Sequence, residues 1–216
     1  MRPGSRAFRR VSKPVVFLLA SAPALWAAAG AFNLAGISLG ANPVEALLDL
    51  FGLWSLRFLL LTLAITPLRN WTGQTWLLGY RRMLGLFAFF YVSLHLATYV
   101  VLDQGLRLAP LVEDVLKRPF ITIGMLAMVL MLPLAITSTR GWMKRLGRGW
   151  KRLHRLVYAV AILGVWHYYW QVILDTLEPL VYAVILLILL AERLRVRQQK
   201  LRRQAARAAL AARASS

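Results

Sequence analysis

Cysteine is absent from this chain of 216 residues, histidine occurs three times, and eight acidic residues face 27 Lys and Arg. The first absence excludes disulfides, thiolate zinc sites and Cys-ligated iron–sulfur clusters. No G-x-G-x-x-G follows a strand pattern, and the stretch of about 24 residues after Glu192 is too short for a flavin or nicotinamide domain. No internal repeat is visible. The net charge of +19 suggests nucleic acid at first, but the basic residues lie between and outside apolar blocks rather than on one soluble face. That distribution belongs to cytoplasmic loops and lipid-facing flanks, not to a nucleic-acid surface.

What is abundant is apolar sequence: 59% of the chain, in blocks near 20 residues long. Such a block matches the hydrocarbon thickness of a bilayer at about 1.5 Å per residue, and backbone in lipid must bond within its own segment, so each block predicts a helix. The expected fold is all-α, a polytopic membrane bundle of about six spans: Val15–Leu34, Leu47–Leu68, Tyr80–Leu102, Phe120–Ser138, Leu153–Leu174 and Leu177–Glu192. Breakers fall between them at Asn42-Pro43, Pro67, Trp71-Thr72-Gly73, Arg118-Pro119 and Glu178-Pro179, while Pro23 and Pro133 fall inside spans. The basic start and following apolar run resemble a signal peptide, but five further spans follow, so residues 14–34 are expected to stay as a first helix. Residues 1–13 then form a basic cytoplasmic segment, 14–192 the membrane domain, and 193–216 a basic tail, helical or disordered, near anionic headgroups.

Charge sets the orientation. With both termini in the cytoplasm, 23 of the 27 basic residues lie inside, and seven of the eight acids, including Glu45, Asp49, Asp103, Glu113, Asp114, Asp175 and Glu178, lie outside or at the outer edge. The reverse orientation violates the positive-inside rule.

Ionisable residues within spans are candidate functional residues. They are Arg57 and the three histidines, His95, His154 and His167. The third and fifth spans run in the same direction. His95 lies 14 residues past Arg81 and His167 lies 15 past Arg152, so both imidazoles are expected at one level, roughly 20 Å from the inner edge. Two imidazoles at equal depth on parallel helices can bind opposite faces of one haem iron, giving a low-spin centre suited to electron transfer. Arg57, about 12 Å below the outer edge, sits at a depth where it can pair with a haem propionate; snorkelling is the alternative. His154, 13 residues before His167, is about 20 Å along and about 140° round an uninterrupted helix. A second, inner haem would need a partner near residue 82, where Arg82 stands with Tyr80 and Arg81. By position alone His154 reads as interfacial; ligation with water or another weak partner is the alternative. Trp166, Tyr168, Tyr169 and Trp170 read as an outer aromatic belt, Trp71, Trp76, Trp142 and Trp150 as an inner one. Met125, Met128 and Met131 recur at helical spacing and read as packing.

Several of these stretches together carry a resemblance: Arg81-Arg-Met-Leu-Gly-Leu86 running into Tyr91-Val-Ser-Leu-His95, Pro133-Leu-Ala-Ile-Thr-Ser-Thr139, Trp150-Lys-Arg-Leu-His154-Arg-Leu-Val-Tyr158, Trp166-His-Tyr-Tyr-Trp170, Leu56-Arg57-Phe58 and Thr66-Pro67-Leu68-Arg69. Over about residues 12–192 the chain resembles the MsrQ (YedZ) family of the ferric-reductase-like transmembrane group. The resemblance implies a haem b electron-transfer subunit in the bacterial inner membrane. Such a subunit takes electrons from the quinone pool or a flavin reductase. It passes them to the periplasmic molybdopterin subunit MsrP, which reduces methionine sulfoxide in envelope proteins. It also implies an association with FMN, and ligands at His95, His167 and His154. The wider group carries two histidines on each of two helices; here Arg82 stands where the fourth would be. A quinone-linked cytochrome b serving another outer oxidoreductase, and a non-redox transporter or scaffold, are the competing readings.

Overall fold

The computed structural model describes residues 5–172 and 176–214; Arg2, Leu174 and Asp175, which bear on the charge balance and on one span boundary above, lie outside the described residues. Among the described residues there is no strand, and the helices are α1 (Arg6–Ala31), α2 (Pro43–Thr72), α3 (Arg81–Ala97), α4 (Leu108–Lys117), α5 (Pro119–Ile136), α6 (Arg140–Leu146), α7 (Arg148–Leu153), α8 (Leu156–Gln171) and α9 (Leu177–Ala214). The chain is therefore an all-α bundle. Four helical stretches are long and apolar enough to cross a membrane: Ala7–Ala31, Pro43–Thr72, Arg81–Asp103 and Pro119–Ile136. At 16 residues α8 is shorter, about 24 Å.

Local chemistry explains the helix ends. The Asn42 side chain accepts a hydrogen bond from the Glu45 N–H, and Pro43 occupies the first turn, where no donor is lost. Pro119 opens α5 in the same way. Gly73, at φ +70°, terminates α2, and Gly147, at φ +50°, separates α6 from α7, both in backbone regions that side chains disfavour.

Pro67, expected as a breaker, lies inside α2. A helical proline lacks the N–H that would bond the carbonyl four residues earlier, here Leu63. Arg193 of α9 donates to that Leu63 carbonyl at 2.8 Å and also to the Tyr158 hydroxyl at 2.7 Å. A distant side chain thus replaces the missing donor, and α2 continues to Thr72. Arg193→Met is expected to lower stability by about 1–3 kcal/mol, since it leaves a buried carbonyl unpaired; thermal unfolding of the detergent-solubilised protein measures it.

The bundle is two antiparallel hairpins, α2 with α3 and α5 with α8, joined where α3 meets α5 and α2 meets α8; α9 lies against α2 and α8, and α1 against α2 and α3. Their interior is apolar, with Leu63, Ala88, Tyr91, Val160 and Ala161 at most 1% exposed. The Tyr91 hydroxyl donates to the Ala20 carbonyl at 2.7 Å and accepts from the Ala24 N–H at 3.1 Å. These two groups are each other's ordinary partners in an α-helix, so the phenol is inserted into the α1 ladder beside Pro23, a recognised cause of bending. Leu19, Leu25, Val129, Ile136 and Leu187 point away from the bundle and are exposed, as surfaces facing lipid are.

One expected span changes, one alternative is settled, and one regularity is new. The segment 153–174 is not one helix: α7 ends at Leu153, and His154 and Arg155 form a tight turn before α8. The spiral arithmetic for His154 therefore does not apply. The tail is helical, since α9 runs unbroken from Leu177 to Ala214. Finally, the two hairpins repeat a structural device, described next, although no repeat is visible in the sequence.

Candidate functional site

His95 lies in the last turn of α3, just before the helix widens into a π-turn over Thr98–Asp103. His167 lies on α8. The structure brings the two rings together: their centroids are 6.1 Å apart and their planes cross at 83°. Each Nδ1 is engaged by backbone, His95 with the Leu48 carbonyl at 2.9 Å and His167 with the Phe120 carbonyl at 2.7 Å. A carbonyl only accepts, so each Nδ1 carries the proton and each Nε2 keeps its lone pair, the tautomer a metal ligand needs.

A glycine stands opposite each ring. A Cβ added to Gly52 of α2 would lie 3.1 Å from the His95 Nδ1, and one added to Gly124 of α5 would lie 2.9 Å from the His167 Cε1 and Nδ1. Each accepting carbonyl is one helical turn before its glycine. The two half-sites are alike in sequence offset as well: 47 residues separate carbonyl and histidine in both. Gly124 follows Gly52 by 72 residues, as His167 follows His95. Glycine disfavours a helix interior by about 1 kcal/mol relative to alanine, which is the only sequence signal these positions carry. Gly85 and Gly164 carry it equally and contact Thr62 and Leu56 instead.

The ring separation is the one that two imidazoles holding a single iron between them would need. With metal–imidazole bonds of about 2.0 Å and ring nitrogens about 1.1 Å from the ring centre, two collinear ligands have centroids about 6.2 Å apart. Among the described residues no group of three or more His, Cys, Asp or Glu side chains is placed to hold a metal ion by itself.

The other candidates are elsewhere. Arg57 packs its guanidinium over Trp54, 5.0 Å from the ring centre, donates to the Tyr182 hydroxyl at 2.8 Å, and lies 3.7 Å from the Glu178 carboxylate. Tyr168 donates to the other Glu178 oxygen at 2.9 Å. An acid 121 residues away in sequence thus balances the mid-span arginine. Glu178→Gln is expected to change stability by no more than about 1 kcal/mol, since both partners are partly exposed; denaturant titration in detergent is the check.

His154 stacks on Trp150, with centroids 3.9 Å apart, and its Nε2 bonds the Thr137 hydroxyl at 3.0 Å. That hydroxyl donates onward to the Pro133 carbonyl at 2.6 Å, so His154 Nε2 is the donor and is not free for a metal. Arg81, not Arg82, lies within electrostatic range of His154, and also of Arg193 and Tyr158. Arg193 Nε and the nearby Thr66 Oγ1 are buried without a partner. Two guanidiniums and an imidazole therefore gather at the inner end of the bundle. Arg82 faces the opposite way, into a groove between α1 and α3. Trp150, read above as belt, belongs to this inner cluster, its Nε1 donating to the Thr137 carbonyl at 2.9 Å. Trp166 and Trp170 remain about half exposed and stack edge to face. Met131 is buried packing.

Residues 51–165 match the family described as ferric reductase like transmembrane component. The chain is similar to a protein-methionine-sulfoxide reductase heme-binding subunit MsrQ of Xanthomonas oryzae pv. oryzae, 52% identical over 172 residues, covering 78% of this chain and 79% of the relative. It is also similar to the subunit of the same name from Xanthomonas euvesicatoria, 54% identical over 72% of each chain. For the one from Azospira oryzae the identity is 52% over 84% of this chain and 77% of the relative. No solved structure matches the chain.

Proposed function

Because the chain belongs to the MsrQ family, with a ferric reductase like transmembrane component in residues 51–165, we propose that it is a haem b electron carrier of a methionine sulfoxide reductase system. His95 and His167 hold the haem, and a separate partner performs the reduction. The observation that carries this reading is the pair of imidazoles 6.1 Å apart with both Nδ1 atoms bonded to backbone. Bound there by His95 and His167, haem b would supply a one-electron carrier. The chain's own residues do the rest. The Leu48 and Phe120 carbonyls fix the ring tautomers and angles, and Gly52 and Gly124 admit the rings close to their helices. The apolar interior excludes water.

Six crossings, completed by α8 and the apolar front of α9, put both termini in the cytoplasm of a bacterial inner membrane, in accord with the charge balance. The absence of cysteine makes this testable without background. Gln104→Cys is expected to react with an impermeant maleimide in intact spheroplasts, and Gln198→Cys only after lysis; the reverse pattern inverts the topology.

On the donor side, the cluster of Arg81, Arg193 and His154, with two unpartnered polar atoms, suits an anionic group such as a flavin phosphate of FMN. It also adjoins the interface where quinone resides. On the acceptor side, α4 offers Leu108, Val112 and Leu116, exposed at successive turns, as a contact for the periplasmic molybdopterin subunit. Replacing Leu108 and Leu116 by glutamate is expected to slow electron delivery to that subunit at least tenfold with the haem spectrum unchanged. Equal delivery would move the contact elsewhere. The decisive measurement for the whole reading is the dithionite-reduced spectrum of purified protein with a haem-to-protein count. A b-type spectrum at near one haem per chain supports it, and a colourless preparation from haem-replete cells removes it.

A further inference from the structure

Between α1 and α3, on the side of the bundle away from the histidines, a groove of about 850 Å³ opens to the surroundings. Lys13, Arg82 and Arg140 stand along its lining, together with Phe17, Leu86 and Phe90. The charges and the apolar groups are segregated. Lys13 lies in the basic first half of α1 and Arg82 in the first turn of α3, at the ends the charge balance turns inward; Arg140 begins α6 at that same end. From there the lining is apolar as far as Leu25 on α1 and Phe90 on α3, except for Ser21, whose hydroxyl donates to the Phe17 carbonyl of its own helix. Along α1 the distance from Lys13 to Leu25 is about 18 Å, close to half of a hydrocarbon core about 30 Å thick. Among the described residues no carboxylate forms an ion pair with any of the three cations.

We propose that this groove is a binding site for one anionic phospholipid of the inner leaflet, its phosphate between Lys13, Arg82 and Arg140 and an acyl chain along Phe17, Leu86 and Phe90. Three unpaired cations around one mouth demand an anion. An apolar trench one leaflet deep demands a chain attached to it, which a free phosphate lacks. A neutral lipid would leave the cations unbalanced. Membrane anions attract each nearby basic residue by about 1 kcal/mol, or roughly fivefold in affinity, so three acting together discriminate strongly by headgroup.

The test is native mass spectrometry of the full chain. It is released from detergent with equimolar phosphatidylglycerol and phosphatidylcholine of identical acyl chains, and in a separate arm with glycerol 3-phosphate. The expected result is one retained phosphatidylglycerol per chain, at least tenfold over phosphatidylcholine, and no retention of glycerol 3-phosphate. The combined variant Lys13→Ala, Arg82→Ala, Arg140→Ala is expected to bring the two lipids to parity. An equal charge removal on α7, Arg148→Ala, Lys151→Ala, Arg152→Ala, is expected to leave the preference intact. Leu86→Trp, which fills the trench and keeps every charge, is expected to reduce retention of both lipids; circular dichroism shows that each variant is folded. Equal retention of the two lipids by the parent protein, equal loss in the α7 variant, or binding of glycerol 3-phosphate alone would each overturn the proposal.

Discussion

Alanine at either His95 or His167 is expected to abolish the reduced b-type spectrum, with haem content falling at least tenfold, while Met128→Ala keeps both. The two ring centres are 6.1 Å apart with their planes nearly perpendicular, and each ring is held by a single backbone carbonyl. Removing one would take away one of the two imidazoles that would hold the haem and leave an apolar gap in its place. The symmetry of the half-sites predicts equal effects: a variant at one position that kept full haem while the other lost it would show that the rings do not share an iron. His154→Ala is expected to behave differently, because its Nε2 is committed to Thr137. It is expected to retain the haem held by His95 and His167, and the haem-to-protein ratio separates the two outcomes. Were that ratio to halve from two, an inner haem ligated through His154 would be indicated, with rearrangement of the Thr137 contact.

A single methyl group is expected to have nearly as large an effect. Gly124→Ala places a Cβ 2.9 Å from the His167 ring, which is itself fixed by a 2.7 Å bond to Phe120. Either the imidazole loses that bond or α5 and α8 separate. Overpacking of this kind costs about 1–3 kcal/mol, and the displacement falls on the ligand itself, so haem retention is expected to weaken by roughly 5- to 150-fold. Gly52→Ala is the milder case, its Cβ meeting the His95 ring at 3.1 Å. Gly85→Ala is the control: its Cβ would meet only Thr62, at 3.6 Å, and is expected to leave haem content unchanged and stability equal or higher. Haem titration of the apoprotein of each variant gives the order Gly124, Gly52, Gly85; any other order removes the positioning role of the glycines.

The depth of His95 and His167 was legible because depth depends only on residue count from a basic edge, and both counts agree. The direction round the helix axis was not, since it depends on how each hairpin packs. The same limit hid Gly52 and Gly124: five glycines, with Gly30, Gly85 and Gly164, interrupt the spans with similar sequence signals, and only the fold tells which two meet a histidine. Arg57 was recognised as costly within a span, but its balancing partner, Glu178, lies on the last helix, beyond any local pattern. Pro67 was misread because the rule for a helical proline concerns its own helix, and the donor that rescues Leu63 comes from Arg193. The turn that puts His154 outside α8 was not legible because the glycines of this stretch, Gly141, Gly147 and Gly149, all precede it, and Gly147 ends α6 rather than α7. The tail of α9 stays helical although residues 197–210 are exposed, consistent with its Ala, Arg, Gln and Leu content.

The carbonyl–glycine–histidine device is built once in α2–α3 and again in α5–α8, and the chain between them, residues 104–118, contributes nothing to either. If His95 and His167 share an iron as proposed, that iron would be a rivet between two hairpins that each carry a complete half-site. A chain cut in that connection and expressed as two fragments would still hold every atom of the pigment's seat. Porphyrin supply would then add to the packing of α3 on α5 and of α2 on α8 and α9, so that more of the two fragments co-purifies from haem-replete cells than from haem-starved ones.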